Sequence, residues 1–130
     1  MVPEAVASEL LARPRSPGGE IPNQPWVERL EPTARSLRHV RAQPPPVDPG
    51  ETAAIALALD LSALVVLDDR RARRRASGTG LRITGTLGIL VIMHRSGLAT
   101  QNLPSDVELL ERTGMRISPA LRQDILDRQM

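Results

Sequence analysis

Residues 63–67, Ala-Leu-Val-Val-Leu, form a short unbroken apolar run that ends in Asp68-Asp69. Five residues are too few for a buried helix, and the paired valines favour a strand. A strand with no apolar/polar alternation is expected to be covered on both faces, as in a parallel sheet flanked by helices. The preceding segment agrees. Asp48-Pro49-Gly50-Glu51 has the form of a helix start, with Asp48 as cap, Pro49 in first position and Glu51 three residues on. Ile55, Leu57, Leu59 and Leu61 then make that helix apolar almost all round, and therefore buried.

The same reading extends to both ends. Downstream, the spacing predicts an Arg-rich helix over 70–77, a turn at 78–80, a strand over 81–84, and a helix from 86 to 96 closed by Gly97. Thr84-Gly85-Thr86-Leu87-Gly88 reads as a strand end, a tight turn and a capping hydroxyl; it is not GxGxxG and lacks a Walker lysine, which excludes a nucleotide-phosphate loop. Ser105-Asp106-Val107-Glu108 reads as a capping box for a helix ended by Gly114. Ser118-Pro119 opens a last helix with Leu121, Ile125 and Leu126 inward. Upstream, Pro3 opens a helix over 3–12 with Val6, Leu10 and Leu11 at helical spacing. Residues 13–47 are Pro-rich, including Pro44-Pro45-Pro46, with a short strand near 26–30 and a weak helix over 33–40. Alternating helices and strands place the chain in the α/β class, and 130 residues suit one domain, 1–130, closed by a helical pair over 105–130.

Composition narrows the chemistry. There is no cysteine, which removes disulfides, thiolate zinc sites and a Cys nucleophile, and only two histidines, His39 and His94, are present. Carboxylates are the remaining metal ligands, and hard oxygen donors select Mg²⁺ or Mn²⁺. Sites in open α/β sheets form beyond the carboxyl ends of strands, where Asp68 and Asp69 lie, and Glu51 sits in the first turn of the helix entering the same layer. Each has a plainer role available: Glu51 can complete a capping box, and Asp68 or Asp69 can cap the Arg-rich helix. Two adjacent carboxylates need supply only one cap, which leaves one of them unexplained.

The run Arg70-Arg71-Ala72-Arg73-Arg74-Arg75 sets four like-charged pairs at i,i+3 or i,i+4. At roughly 0.2–0.5 kcal/mol each, they strain the helix by about 1–2 kcal/mol. The first turn of a helix is also the wrong end for cations. Phosphates would relieve both effects, with Arg70, Arg73 and Arg74 as the contacts. The alternative is a solvated face enriched by GC-rich codon usage, since all 17 basic residues are Arg and the chain lacks Lys, Phe and Tyr. The same bias explains a pI of 10.8 at a net charge of +2, so the pI is no sign of a nucleic-acid surface. With Trp26 as the sole aromatic, a base-stacking platform is excluded and any nucleic-acid contact must be mainly electrostatic. No stretch approaches the ~18 apolar residues of a membrane span, and Glu4 and Glu9 stand where a signal peptide would be basic and apolar. A cytoplasmic protein with no membrane partner is expected.

The ordered segments Asp48-x-Gly50-Glu51-x-Ala53-Ala54-Ile55-x-Leu57-Ala58, then Asp68-Asp69-Arg70-x-x-Arg73, then Ile83-x-Gly85-Thr86-Leu87-Gly88-Ile89-Leu90 resemble the PIN-like family, in particular its toxin-type branch in bacteria and archaea. Val2-Pro3-Glu4-Ala5-Val6-x-x-Glu9-Leu10 is similar to the family's early helix, and Ser118-Pro119-Ala120-Leu121 fits its helical tail. The resemblance implies a three-layer α/β/α fold with a parallel sheet. It implies a Mg²⁺- or Mn²⁺-dependent endoribonuclease of a toxin–antitoxin pair, with RNA as substrate, a cognate antitoxin protein as partner, and a homodimer as the common assembly. Carried over, Glu51 and Asp69 are catalytic acids, and Asp68 joins them as a metal ligand. The family opens with a central strand ending in its first acid, whereas this sequence opens just before the early helix. The resemblance therefore implies an N-terminally truncated domain, weak or inactive as written, with Met1 either a miscalled start or the edge of a decaying remnant. A non-catalytic PIN-like module that binds nucleic acid or protein is the alternative, and an Arg-driven DNA-binding protein a third.

Overall fold

The structure is a computed structural model and describes residues 1–99 and 101–128. Among these the chain forms β1 (Val2–Pro3), α1 (Glu4–Leu11), β2 (Arg29–Leu30), α2 (Ala34–Arg41), α3 (Pro49–Leu61), β3 (Val65–Val66), α4 (Arg70–Ser77), β4 (Ile83–Thr84), α5 (Thr86–Arg95), α6 (Leu103–Arg112) and α7 (Pro119–Asp127). It divides into two compact units, Met1–Ile83 and Thr84–Met130.

In the first unit α3 is the organising element, with α1, α2, α4, β1 and β3 all packed against it. Its sequence explains this role: Gly50, Thr52, Ala53 and every residue from 55 to 58 are buried, and the small side chains let neighbours approach from several sides. Ile55, Ala56 and Ala58 form one core with Val40 of α2, Val65 and Leu67 around β3, and Ala72 and Ala76 of α4. The helix starts as its sequence requires, the Asp48 carboxylate accepting from the Glu51 backbone N–H at 2.8 Å. It ends on Ser62 in the left-handed conformation.

α2 is tied to α3 from outside the core. Thr33 caps α2 by accepting from the Ser36 N–H. Asp60, near the end of α3, accepts from the Thr33 N–H at 2.7 Å, the Thr33 hydroxyl at 2.9 Å and the Ser36 hydroxyl. These three bonds hold the Asp60 carboxyl below the ordinary aspartate range, the Ser36 bond contributing most.

β1 and β2 pair in parallel, Val2 opposite Arg29 and Pro3 opposite Leu30, and an Arg29–Glu4 fork with contacts of 2.7 and 3.0 Å secures the edge. β3 and β4 form a second two-stranded sheet, with the Val65 N–H donating to the Arg82 carbonyl at 3.0 Å. The class is mixed α/β with parallel strands. Among the described residues the strands form these two pairs, each two residues long, where the sequence suggests longer ones over 63–67 and 81–84.

The reading of 63–67 as covered on both faces is wrong. Val65 and Leu67 are buried, but Leu64 is 41% and Val66 49% exposed. The strand alternates in burial although its sequence does not alternate in polarity, because only its α3- and α4-facing side meets a core. Leu64 and Val66 are apolar residues on an open face.

The second unit is helical. Leu103 and Val107 of α6 and Ile125 of α7 are its buried centre, with Leu87, Leu90 and Val91 of α5, Ile117 and Leu126 packed around them. His94 of α5 and Asp106 of α6 join the two helices at 2.7 Å, both side chains largely buried. Ser118 caps α7 as expected. Three details of the sequence reading need correction. α6 starts two residues before Ser105, because the Asn102 amide oxygen accepts the Ser105 N–H at 2.9 Å and Pro104 fits the first turn. Leu121 is 45% exposed, and only Ile125 and Leu126 of its helix reach the core. The cap of α5 is Gly85, which has no side chain to accept a bond, so no hydroxyl caps that helix.

Candidate active site

A cavity of about 270 Å³ opens between α1, α3 and the end of β3, lined by Val6, Glu9, Asp48, Gly50, Glu51, Ala54 and residues 66–69. Five of its lining residues are acidic: Glu9, Asp48, Glu51, Asp68 and Asp69. All three residues expected to hold metal, Glu51, Asp68 and Asp69, are therefore brought to one place. A larger recess of about 420 Å³ lies under residues 12–19, but its charged lining is Glu9 and Arg13, a carboxylate beside a cation and a poor donor set for a metal ion.

Each carboxylate arrives by a different route. Glu51 is carried in the first turn of α3. Asp48 accepts its N–H at 2.8 Å, and the Asp48 backbone N–H acts in return on the Glu51 carboxylate, a pull that favours its charged form but is outweighed. The same side chain lines the cavity. Burial, then repulsion from Asp48 and Asp69 and more weakly from Glu9, holds its carboxyl above the ordinary glutamate range. Asp69 does cap α4, one oxygen accepting the Ala72 N–H at 2.9 Å, so only its second oxygen faces other work. Asp68 stands beside it and is not the cap.

Glu9 escaped the sequence reading. It lies on α1, and a methyl group built on Gly50 would come within 2.7 Å of its carboxylate, so the absent side chain at position 50 is what lets Glu9 lie against α3. The signal was present in two halves: a glutamate one turn into an early helix, and a glycine at the second position of a buried helix, where alanine would otherwise be preferred.

The Arg run divides by burial. Arg75 is 3% exposed and belongs to the core: its Nε and Nη2 donate to the Gln43 carbonyl at 2.9 and 2.6 Å, and its Nη1 reaches the Thr52 hydroxyl at 3.4 Å. The run is thus not a uniform solvated face. Arg73 donates to the Leu67 carbonyl at 2.9 Å, bracing the turn that presents Asp68 and Asp69. Arg70, Arg71 and Arg74 are exposed, with no acid paired to them among the described residues.

A family model described as PIN domain matches residues 1–129. The chain belongs to the PIN domain family. The match runs across both compact units and takes in the acids of the cavity. No curated protein and no solved structure matches the chain.

PIN domains depend as a family on divalent metal, and the donors here suit one: every candidate ligand is a hard carboxylate, and the Glu51 carboxyl, raised by burial and by Asp48 and Asp69, marks a place where negative charge gathers. The side chains are not drawn together, however. Among the described residues no three acids or histidines converge closely enough to hold an ion. The donor chemistry fits a hard cation, and the carboxylates would have to close on it.

Proposed function

We propose that this PIN domain is a Mg²⁺- or Mn²⁺-dependent endoribonuclease in which Glu9, Glu51 and Asp69 hold the metal, with Asp68 beside them. The observation that carries the reading is the gathering of carboxylates from α1, α3 and the β3–α4 turn in one cavity, with the Glu51 carboxyl raised by burial and then by its acidic neighbours. A bound divalent ion would neutralise that charge, polarise a phosphoryl oxygen and lower the pKa of water. The chain's own residues set the rest. Gly50 leaves room for Glu9, Arg73 braces the turn bearing Asp68 and Asp69, and Arg70 and Arg74 offer exposed guanidiniums to phosphates next to the acids. The toxin-type character, and with it a cognate antitoxin, rests on the resemblance of 48–58 and 83–90 to that branch.

The test is cleavage of a labelled RNA with Mn²⁺, compared with the same reaction in EDTA. Glu51→Gln and Asp69→Asn are each expected to lower the rate by about 100-fold or more, the scale of losing one contact to transition-state charge. Asn can still cap α4, so the second variant should fold normally. Metal-dependent cleavage that survives both substitutions would refute the assignment. A second reading, a PIN domain that binds without cleaving, is favoured by the failure of three carboxylates to converge. It predicts RNA binding with no turnover in either metal.

A further inference from the structure

We infer that the exposed faces of α2 and α4 form one basic track that carries the phosphate backbone of a single-stranded RNA away from the acidic cavity. This rests on the nucleic-acid reading above but assigns residues that reading does not use: Arg35, Arg38 and Arg41 of α2, with Arg71 of α4. All four are exposed.

The first observation is a segregation of charge. Arg29, Arg112, Arg122 and Arg128 are each paired with an acid, Glu4, Glu108, Glu111 and Asp124 respectively. None of the arginines of α2 or α4 makes an ion pair among the described residues, and residues 32–47 and 70–105 contain no Asp or Glu; the Asp60 carboxylate of α3 reaches the first turn of α2 but is taken up by Thr33 and Ser36. Codon bias explains why the cations are Arg and not Lys. It does not explain why acids are missing from these two stretches. Arg13, Arg15 and Arg116, outside them, also make no ion pair among the described residues, so it is the clustering of exposed arginines on α2 and α4 that sets this face apart.

The second observation joins the helices. The buried Arg75 of α4 is clamped on the Gln43 carbonyl, two residues past the end of α2. Val40 of α2 and Ala72 and Ala76 of α4 share one core, so the two helices turn their buried faces to common ground and their arginines outward. Arg71 lies one turn before Arg75 on α4 and, unlike it, is exposed. Arg70 follows directly on Asp69. The arginines thus run from the acidic cavity along α4 to the end of α2 and up that helix. Each helix has eight residues, or about 12 Å, so the track spans on the order of 25 Å. The repulsion is greatest in α4, where cations also crowd the positive end of the helix, and phosphates remove both penalties. Trp26 is the chain's only aromatic residue, so recognition of the backbone, not stacking of bases, is what this face offers.

The test is equilibrium binding of a labelled oligouridylate by fluorescence anisotropy, in EDTA, across a NaCl series. The triple variant Arg35→Gln, Arg38→Gln, Arg41→Gln is expected to flatten the slope of log K against log salt by roughly 2, about 0.7 for each lost phosphate contact. The equal-charge control Arg112→Gln, Arg122→Gln, Arg128→Gln should leave the slope alone. Lysines at the three α2 positions should restore it, since charge and not fork geometry is required. An unchanged slope in the α2 variant, an equal loss in the control, or no rescue by lysine overturns the track. So does polyglutamate competing as well as RNA at equal charge, which would mark a general polyanion surface. Because EDTA abolishes turnover, the result is independent of the nuclease assignment: Glu51→Gln should bind RNA as the wild type does, whether or not the wild type cleaves.

Discussion

Gly50 is where the smallest side chain has the largest consequence for the candidate site. Near the start of a helix, Gly→Ala ordinarily stabilises, by up to about 1 kcal/mol. Here the new methyl would meet the Glu9 carboxylate at 2.7 Å, and the flexible end of Glu9 would swing away. Gly50→Ala is therefore expected to hold or raise the thermal midpoint while weakening Mn²⁺ binding by calorimetry. Undiminished metal affinity would show that Glu9 is no ligand. Glu51→Gln should separate stability from function in the same way, because it removes a carboxylate that burial and three like-charged neighbours already disfavour. Arg75 makes the opposite case. Replaced by Leu, it would strand the Gln43 carbonyl and cost about 1.5–3 kcal/mol in chemical denaturation. Arg74→Leu, one residue away and exposed, should stay within about 0.5 kcal/mol. Equal losses at the two positions would contradict the burial difference.

At the scale of elements, the α2–α3 junction is the place where pH should act. Asp60 is charged when it accepts its three bonds, and its folded-state pKa lies below the ordinary value of about 3.9. A depressed carboxyl contributes stability that is present above the unfolded-state pKa and lost as pH falls through the folded-state one. Wild type and Asp60→Asn should therefore differ at neutral pH and converge under acid, below the ordinary aspartate range. A difference that persists at the acid limit would point to lost packing and not to charge. Because the group is exposed, the effect is expected to be small. The caps give a second contrast. Asn102→Ala should cost about 1 kcal/mol, while Ser105→Ala, at the position the sequence pattern suggests, should cost little.

For the molecule as a whole, what was legible in the sequence followed local rules. The cap at Asp48, the buried α3, the Arg helix capped by an aspartate and the turn at Gly97 all depend on neighbours within four residues, and all are found. What was not legible depends on distant partners. The open face of Leu64 and Val66 is set by what packs against β3, the burial of Arg75 by a loop 32 residues away, and the place of Glu9 by a glycine on another helix. The same distinction applies to cohesion. The core of the first unit is built on α3 and that of the second on Leu103, Val107 and Ile125, with no residue common to both. Leu103→Ala, which empties about 2–5 kcal/mol of packing from the second core, should therefore accelerate amide hydrogen exchange across α5–α7 and leave the slow amides of α3 protected. If α3 loses protection to the same degree, the two cores unfold as one. The acidic cavity, which lies wholly within the first unit, would then depend for its stability on helices that supply none of its lining.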